Sequence, residues 1–386
     1  MKIVGIICEY NPFHWGHQRQ MRLIRGQLGE DTAIVCVMSG NYVQRGEPAM
    51  WEKYTRARAA VANGADVVLE LPITAVLRSA EGFASEGVRI LSQFGAEYLC
   101  FGTECGSAEQ LWRLAEQVKK DGFQEKLREH LMYGCSYAAA RQLALEDSMD
   151  LLSKPNNILG FEYCRAIMEQ SSPMKPMGIL RNGDYHALEA VKEAPSASAV
   201  RKLVPDGEWK EYVPLARLWE SEPWYTVEFG ERAVLARLRS MSDEEWEKAA
   251  HGSEGLWSKA MKASRREGSL QDVMDATKSK RYPMSRIRRL LLCAYLGISA
   301  DDLHTNCPYV RILSAGDRGF KLIRSVKKAG RMVLINPGET PEDRAYYALE
   351  CRASDLHALF AAPGFDIACG REQAARMSAK KFFEKF

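Results

Sequence analysis

No Cys-x-x-Cys pair occurs among the ten cysteines of this 386-residue chain, which excludes zinc-finger spacing and a dithiol redox motif. Cys8, Cys36, Cys100, Cys105, Cys135, Cys164, Cys293, Cys307, Cys351 and Cys369 are scattered and read as small apolar residues. Long hydrophobic runs are also missing. The stretch Leu290 to Ile298 falls well short of the roughly 20 residues that span a bilayer, so no membrane partner is expected. The first apolar run, Ile3 to Cys8, is too short for a secretory leader and meets Glu9 and Asn11 without a cleavage signal, so the expected location is cytoplasmic. There is no repeat period, no low-complexity tract and no extreme charge, the formal net charge being +3. What remains is an ordinary globular composition, 46% apolar and 27% charged, at a length of two or three domains.

Histidine is scarce, with seven in the chain, and two of them stand in His14-Trp15-Gly16-His17. This tetrapeptide follows the apolar run Ile3–Cys8 and precedes a segment of helical period, Gln18 to Leu28, an order that predicts strand, tight loop and helix N-terminus. Two imidazoles and a set of unpaired helix N–H groups then meet at one point, a chemistry suited to a nucleoside triphosphate. The competing reading is a surface turn whose histidines only cap the helix. Further apolar runs rich in β-branched residues occur at Ala33–Met38, Asp66–Leu71 and Glu97–Phe101, separated by helical periods. Such alternation predicts a parallel sheet covered on both faces, with ligands at the carboxyl ends of its strands. The loop after the first strand, the loop Ser39 to Glu47 and the loop Gly102-Thr103-Glu104 would then open on one crevice. Glu9 and Glu104 lie in those loops and are the better candidates for a metal or base role than Asp66 and Glu70, which lie on a strand.

Beyond residue 105 the pattern turns helical, with Pro155-Asn156-Asn157 opening one helix and Met177–Leu180 offering a further strand that ends at Arg181. Ser196 to Arg201 reads as a helix start with two hydroxyls for capping and phosphate contact. From about Glu208 onward helical periods dominate. Between Gly255 and Leu290 ten basic residues stand against three acidic ones, and Lys321, Arg324, Lys327, Lys328 and Arg331 form a second basic cluster near Tyr309 and Phe320. Such surfaces suit a phosphate backbone, although charge runs are also ordinary solvated faces.

Six blocks carry a resemblance: Cys8 to His17, Met38 to Pro48, Ala65 to Pro72, Leu99 to Glu104, Asn156 to Gly160 and Ser196 to Arg201. In this order they are similar to the tRNA(Met) cytidine acetate ligase family, a branch of the His-x-Gly-His nucleotidyltransferases. The likeness is dense over residues 1–205 and thinner beyond, through Pro308–Arg311 and Arg352–Asp355. It implies an α/β fold, a Rossmann-like parallel sheet of the nucleotidyltransferase type over residues 1–205, followed by a mainly α-helical, basic, tRNA-binding domain over 206–386. The implied reaction joins acetate to ATP as acetyladenylate and transfers the acetyl group to the wobble cytidine of elongator tRNA(Met), giving N4-acetylcytidine. ATP is then the cosubstrate, with Mg²⁺ as its expected companion; no protein metal site is expected.

The resemblance assigns catalysis to His14 and His17. It assigns ATP contacts to Ile7, Cys8, Glu9, Tyr10, Asn11, Pro12, Phe13, His14, Trp15, Gly16, His17, Gln18, Arg19 and Gln20, together with Gly102, Asn156, Asn157, Arg181, Asn182 and Ser198. The basic residues Lys278, Lys280, Arg281, Arg286 and Arg289 are the candidates for tRNA contact. Two departures from the family pattern stand out: Trp15, where a small polar residue is usual, and Leu180-Arg181-Asn182 in place of a more basic sequence. A small-molecule adenylyltransferase and a non-catalytic ATP- and RNA-binding protein share the same motif and are the alternatives.

Overall fold

The computed structural model describes residues 1–104, 106–119, 121–133, 140, 143–144, 151–180 and 196–376. Strand β1 (Ile3–Cys8) runs into helix α1 (Trp15–Leu28). Strand β2 (Ala33–Ser39) runs into a hairpin of β3 (Tyr42–Val43) and β4 (Glu47–Pro48), then into α2 (Lys53–Ala62). Strand β5 (Val67–Leu71) is followed by α3 (Ile73–Val76) and α4 (Ala80–Phe94). Strand β6 (Tyr98–Thr103) leads to α5 (Ala108–Val118), α6 (Asp121–Met132) and α7 (Pro155–Glu169), and then to β7 (Lys175–Leu180). These strands lie in the order β7-β6-β1-β2-β5, all parallel. The chain leaves β1 toward β2 and β5 and later returns to its other side for β6 and β7, so the loop after β1 sits where strand order reverses. Such a reversal opens a crevice at the carboxyl ends.

Strand β2 shows why the sheet reads as an unbroken apolar run. All seven of its residues are buried. Ala33, Val35 and Val37 join one core cluster, while Ile34, Cys36 and Met38 join the other. Successive side chains point to opposite faces, and both faces are covered by helices, so neither set alternates with polar residues.

Beyond β7 come α8 (Ala197–Leu203), α9 (Ala216–Glu220), α10 (Val227–Ser240), α11 (Asp243–Lys248), α12 (Leu256–Arg266), α13 (Leu270–Thr277), α14 (Met284–Leu296) and α15 (Ala300–His304). The helical reading of this half misses two strands. Strand β8 (Val310–Ala315) pairs antiparallel with β5, and β9 (Leu334–Ile335) pairs with β8, which makes the sheet seven-stranded. Six consecutive buried residues, Val-Arg-Ile-Leu-Ser-Ala, form β8 because the free edge of β5 is there to receive them. Helices α16 (Asp317–Ala329), α17 (Arg344–Ala358) and α18 (Arg371–Ala374) complete the described chain. The sheet therefore takes its last strands from beyond residue 205, and the helices from α8 to α15 are inserted between strands of one sheet.

Candidate active site

A cavity of about 920 Å³ opens at the carboxyl ends of β1 and β6. Its size suits a nucleotide, since small-molecule pockets run to about 300–1,000 Å³. The loop after β1 forms its floor. Arg56, fully buried on α2, holds that loop in place: its guanidinium donates to the backbone oxygens of Glu9 and Gly40, to that of Ser39 at 3.1 Å and to that of Trp51 at 2.8 Å. One cation thus ties the carboxyl ends of β1 and β2 together, and its burial lowers its own pKa to about 10. Asn11 fastens the next turn, accepting from Met50 N at 2.7 Å through Oδ1 and from Arg201 at 2.7 Å through its carbonyl.

His14 is the N-cap of α1, and the two histidines form a capping box. His14 Nδ1 accepts from Gly16 N at 3.1 Å, and His17 Nδ1 accepts from His14 N at 3.2 Å. The rings stack with centroids 3.7 Å apart and planes 23° off parallel. An Nδ1 that accepts leaves the proton of a neutral imidazole on Nε2, so each ring keeps an N–H donor of fixed direction. The capping reading and the ligand-binding reading are therefore compatible in the same side chains. Tyr10 and Phe13 support the pair from below, their rings 4.7 and 5.5 Å from that of His17.

The other walls come from three places. Gly102 is the penultimate residue of β6, and Asn156 is the second residue of α7. Glu104 clasps the start of α7, accepting from Asn156 N at 3.0 Å and donating its own N–H to Asn157 Oδ1 at 3.0 Å. Glu104 is thereby tied to loop structure and does not line the cavity. Among the described residues Asn156 Nδ2 is buried without a hydrogen-bond partner, and Asn156 lines the cavity. At the third wall Ser196 caps α8 by accepting from Ala199 N at 3.1 Å, and Arg201 donates to Ser198 Oγ at 3.2 Å. Cys8 and Cys100 also line the cavity, but burial raises both thiols, Cys100 to about 12, so neither supplies a thiolate nucleophile. Burial likewise raises the carboxyl of Glu9, which accepts from Gln44 N at 2.7 Å.

Of the residues expected to touch ATP, Ile7, Cys8, Glu9, Tyr10, Asn11, His14, Gly16, His17, Arg19, Gln20, Gly102, Asn156 and Ser198 line this cavity. Pro12, Phe13, Trp15, Gln18 and Asn157 do not. On α1 the helical turn puts positions 16, 17 and 20 on the cavity side and 15 and 18 away from it. Trp15 Nε1 donates to Glu211 O at 2.9 Å and Gln18 to Asn63 at 2.9 Å, while Phe13 is core. Arg181 and Asn182 lie outside the described residues, as do Cys105 and Cys135.

The basic candidates separate into three groups. Lys278 and Lys280 are exposed, and Arg281 is exposed with Glu254 at 3.3 Å. Arg286 clamps Glu254 at 2.9 Å together with Ser253 and the carbonyl of His251. Arg289 is 8% exposed and lines the cavity, as does its neighbour Arg288. Sequence reading misses Arg56 and the cavity positions of Arg288 and Arg289, whereas Arg201 carries a local signal as the arginine one turn after the two hydroxyls of Ser196 and Ser198.

A parallel sheet with a histidine-capped helix at its reversal point defines a nucleotidyltransferase of the His-x-Gly-His class. The family profile described as HIGH Nucleotidyl Transferase matches residues 1–367. The tRNA(Met) cytidine acetate ligase of Acetivibrio thermocellus is 32% identical over 365 residues, covering 87% of this chain and 88% of that protein. The enzyme of the same name from Anoxybacillus flavithermus is 33% identical over 380 residues, covering 92% and 94%. The crystal structure of apo Thermotoga maritima TmcAL superposes with a TM-score of 0.88 at 28% identity over 98% of this chain and 99% of that one. The same protein bound with alpha-thio ATP superposes with a TM-score of 0.86. The chain belongs to the tRNA(Met) cytidine acetate ligase family.

Proposed function

We propose that this protein is an ATP-dependent ligase that forms acetyladenylate from acetate and transfers the acetyl group to N4 of the wobble cytidine of elongator tRNA(Met). In the first step an acetate oxygen attacks the α-phosphorus while the bond to pyrophosphate breaks. No protein nucleophile is needed, which agrees with the neutral thiols of Cys8 and Cys100. Charge must instead be stabilised on the departing pyrophosphate, and preorganised N–H donors do this without reorganising. The observation that carries the reading is the stacked His14–His17 pair at the N-terminus of α1, with both Nδ1 atoms occupied by backbone N–H groups.

In the second step the cytosine amine attacks the acetyl carbonyl, AMP departs and the amine loses a proton. The anticodon loop is single-stranded, so its base can enter a pocket without opening a duplex. Lys278, Lys280 and Arg281, exposed in the segment between α13 and α14, are proposed to hold the tRNA backbone. Mg²⁺ is proposed to arrive with the triphosphate; among the described residues no group of three or more His, Cys, Asp or Glu side chains is arranged to hold a metal. No helix among those residues is long and apolar enough to cross a membrane, and the proposed location is the cytoplasm, where ATP and tRNA meet.

The deciding experiment is ATP–pyrophosphate exchange by the intact chain. Exchange that requires acetate and proceeds without tRNA is expected. Exchange with another acid, or with none, would overturn the assignment in favour of a different adenylyl acceptor.

A further inference from the structure

Besides the donors described above, the cavity is lined by Gln44 and Glu47 of the β3–β4 hairpin and by Met284, Ser285, Arg288 and Arg289 on the first turns of α14. Helix α14 is 13 residues long, follows Pro283 without a side-chain cap, and has no acidic residue in its first turn. Its N–H groups there carry partial positive charge. Arg289 stands one turn further along the same helix. Nε of Arg289 is buried and has no hydrogen-bond partner among the described residues, and its Nη1 reaches Gln44 O only at 3.4 Å. The neighbouring cation Arg288 is paired with Glu47, whereas Arg289 makes no ion pair among the described residues.

What fixes Arg289 is backbone packing. Gly46, at φ +82°, rests on α14 so closely that a Cβ would stand 2.7 Å from Arg289 N and 2.8 Å from Arg288 C. A buried guanidinium without a carboxylate is costly, and the cost falls when an anion arrives. The positive groups nearby, Arg286 on the same helix among them, deepen that deficit: His251 is held neutral, its pKa lowered to about 4 by burial and by Arg289 and Arg286.

We propose that Arg289 and the first turn of α14 form a second subsite of the cavity, which takes a backbone phosphate flanking the acceptor nucleotide. This rests on the reading of the site as an acetyl-transferring ligase and deepens it. The acyl-adenylate is held from the sheet and the acceptor nucleotide from the inserted helices, so the two reactants meet where the hairpin touches α14.

The same chemistry would serve the terminal phosphates of ATP, and the test separates the two sources. Arg289→Met removes the charge and keeps apolar bulk; Arg289→Lys returns a charge without the guanidinium fork. Acetate-dependent ATP–pyrophosphate exchange, acetyl transfer to tRNA and affinity for a free anticodon stem–loop are measured on both variants, with melting temperatures as a fold control. The proposal expects exchange within about threefold of wild type, stem–loop binding at least about tenfold weaker in Arg289→Met, a salt slope smaller by about one, and partial recovery in Arg289→Lys. Exchange that falls in parallel with transfer would give the subsite to ATP and overturn the proposal, as would unchanged stem–loop affinity. Stem–loop binding does not depend on which acid is activated, so a wild-type enzyme that fails to exchange with acetate would refute the functional reading while this measurement still judges the subsite.

Discussion

At the scale of single residues, His14 shows how one side chain is used twice. Its Nδ1 caps α1, and the same residue lines the cavity. Asparagine is a good N-cap, but its shorter side chain carries no donor out to the position of the imidazole Nε2. His14→Asn is therefore expected to keep its melting temperature within a few degrees while ATP–pyrophosphate exchange falls about 10²–10³-fold, the usual loss for one preorganised donor. Equal losses of stability and exchange would mean that the pair is only a cap. A second residue-scale feature lies behind the site, where Lys53 and Arg311 share three buried carboxylates. Lys53 meets Glu70 at 2.8 Å and Glu372 at 2.5 Å, and Arg311 meets Glu350 at 2.8 Å. Burial, with Glu372 and Glu350 nearby, pushes the Glu70 carboxyl up to about 7 despite the Lys53 ammonium. A pKa raised from 4.5 to about 7 on folding contributes stability that is fully present below pH 4.5 and is lost as pH rises through 7. Glu70→Gln leaves two carboxylates for two cations. The melting temperature of the wild type relative to this variant is expected to fall between pH 5 and about pH 8, and thermal melts across that window check it. A difference that stays flat or rises would refute the assignment.

At the scale of elements, the β3–β4 hairpin joins the loop after β1 to α14. It does so through the Arg288–Glu47 ion pair and the bare backbone of Gly46. Alanine at position 46 would meet the α14 backbone and a left-handed φ that costs about 1–2 kcal/mol by itself. Gly46→Ala is expected to lower the melting temperature by several degrees and to reduce acetyl transfer more than acetate-dependent exchange, because the contact it opens lies at α14. A scanning melt and the two assays decide this. The parallel strands β1, β2, β5 and β6 were readable from β-branched apolar runs, and the loop after β1 from its two histidines. The hairpin's role was not readable, since nothing in Asn41 to Pro48 reveals that position 46 rests on a helix more than 200 residues later.

At the scale of the whole molecule, β8 decides what can fold alone. It covers β5, whose five residues are all buried, and it carries Arg311 into the carboxylate cluster. A fragment of residues 1–205 would leave β5 as an exposed apolar edge and Lys53 and Glu70 without Arg311 and Glu372. Such a fragment is expected to aggregate or to show no cooperative melt, whereas a sharp transition in soluble material would show that residues 1–205 are an independent unit. The sequence alone determined the parallel core, the strand–loop–helix order around His14 and His17, and the family resemblance, because each depends on neighbours within a few residues. Arg56 gripping two loops, Arg289 facing the cavity and β8 closing the sheet were decided only by tertiary structure. Each rests on contacts between segments far apart in the chain, and local periodicity carries no trace of which distant edge, carbonyl or glycine a residue will meet.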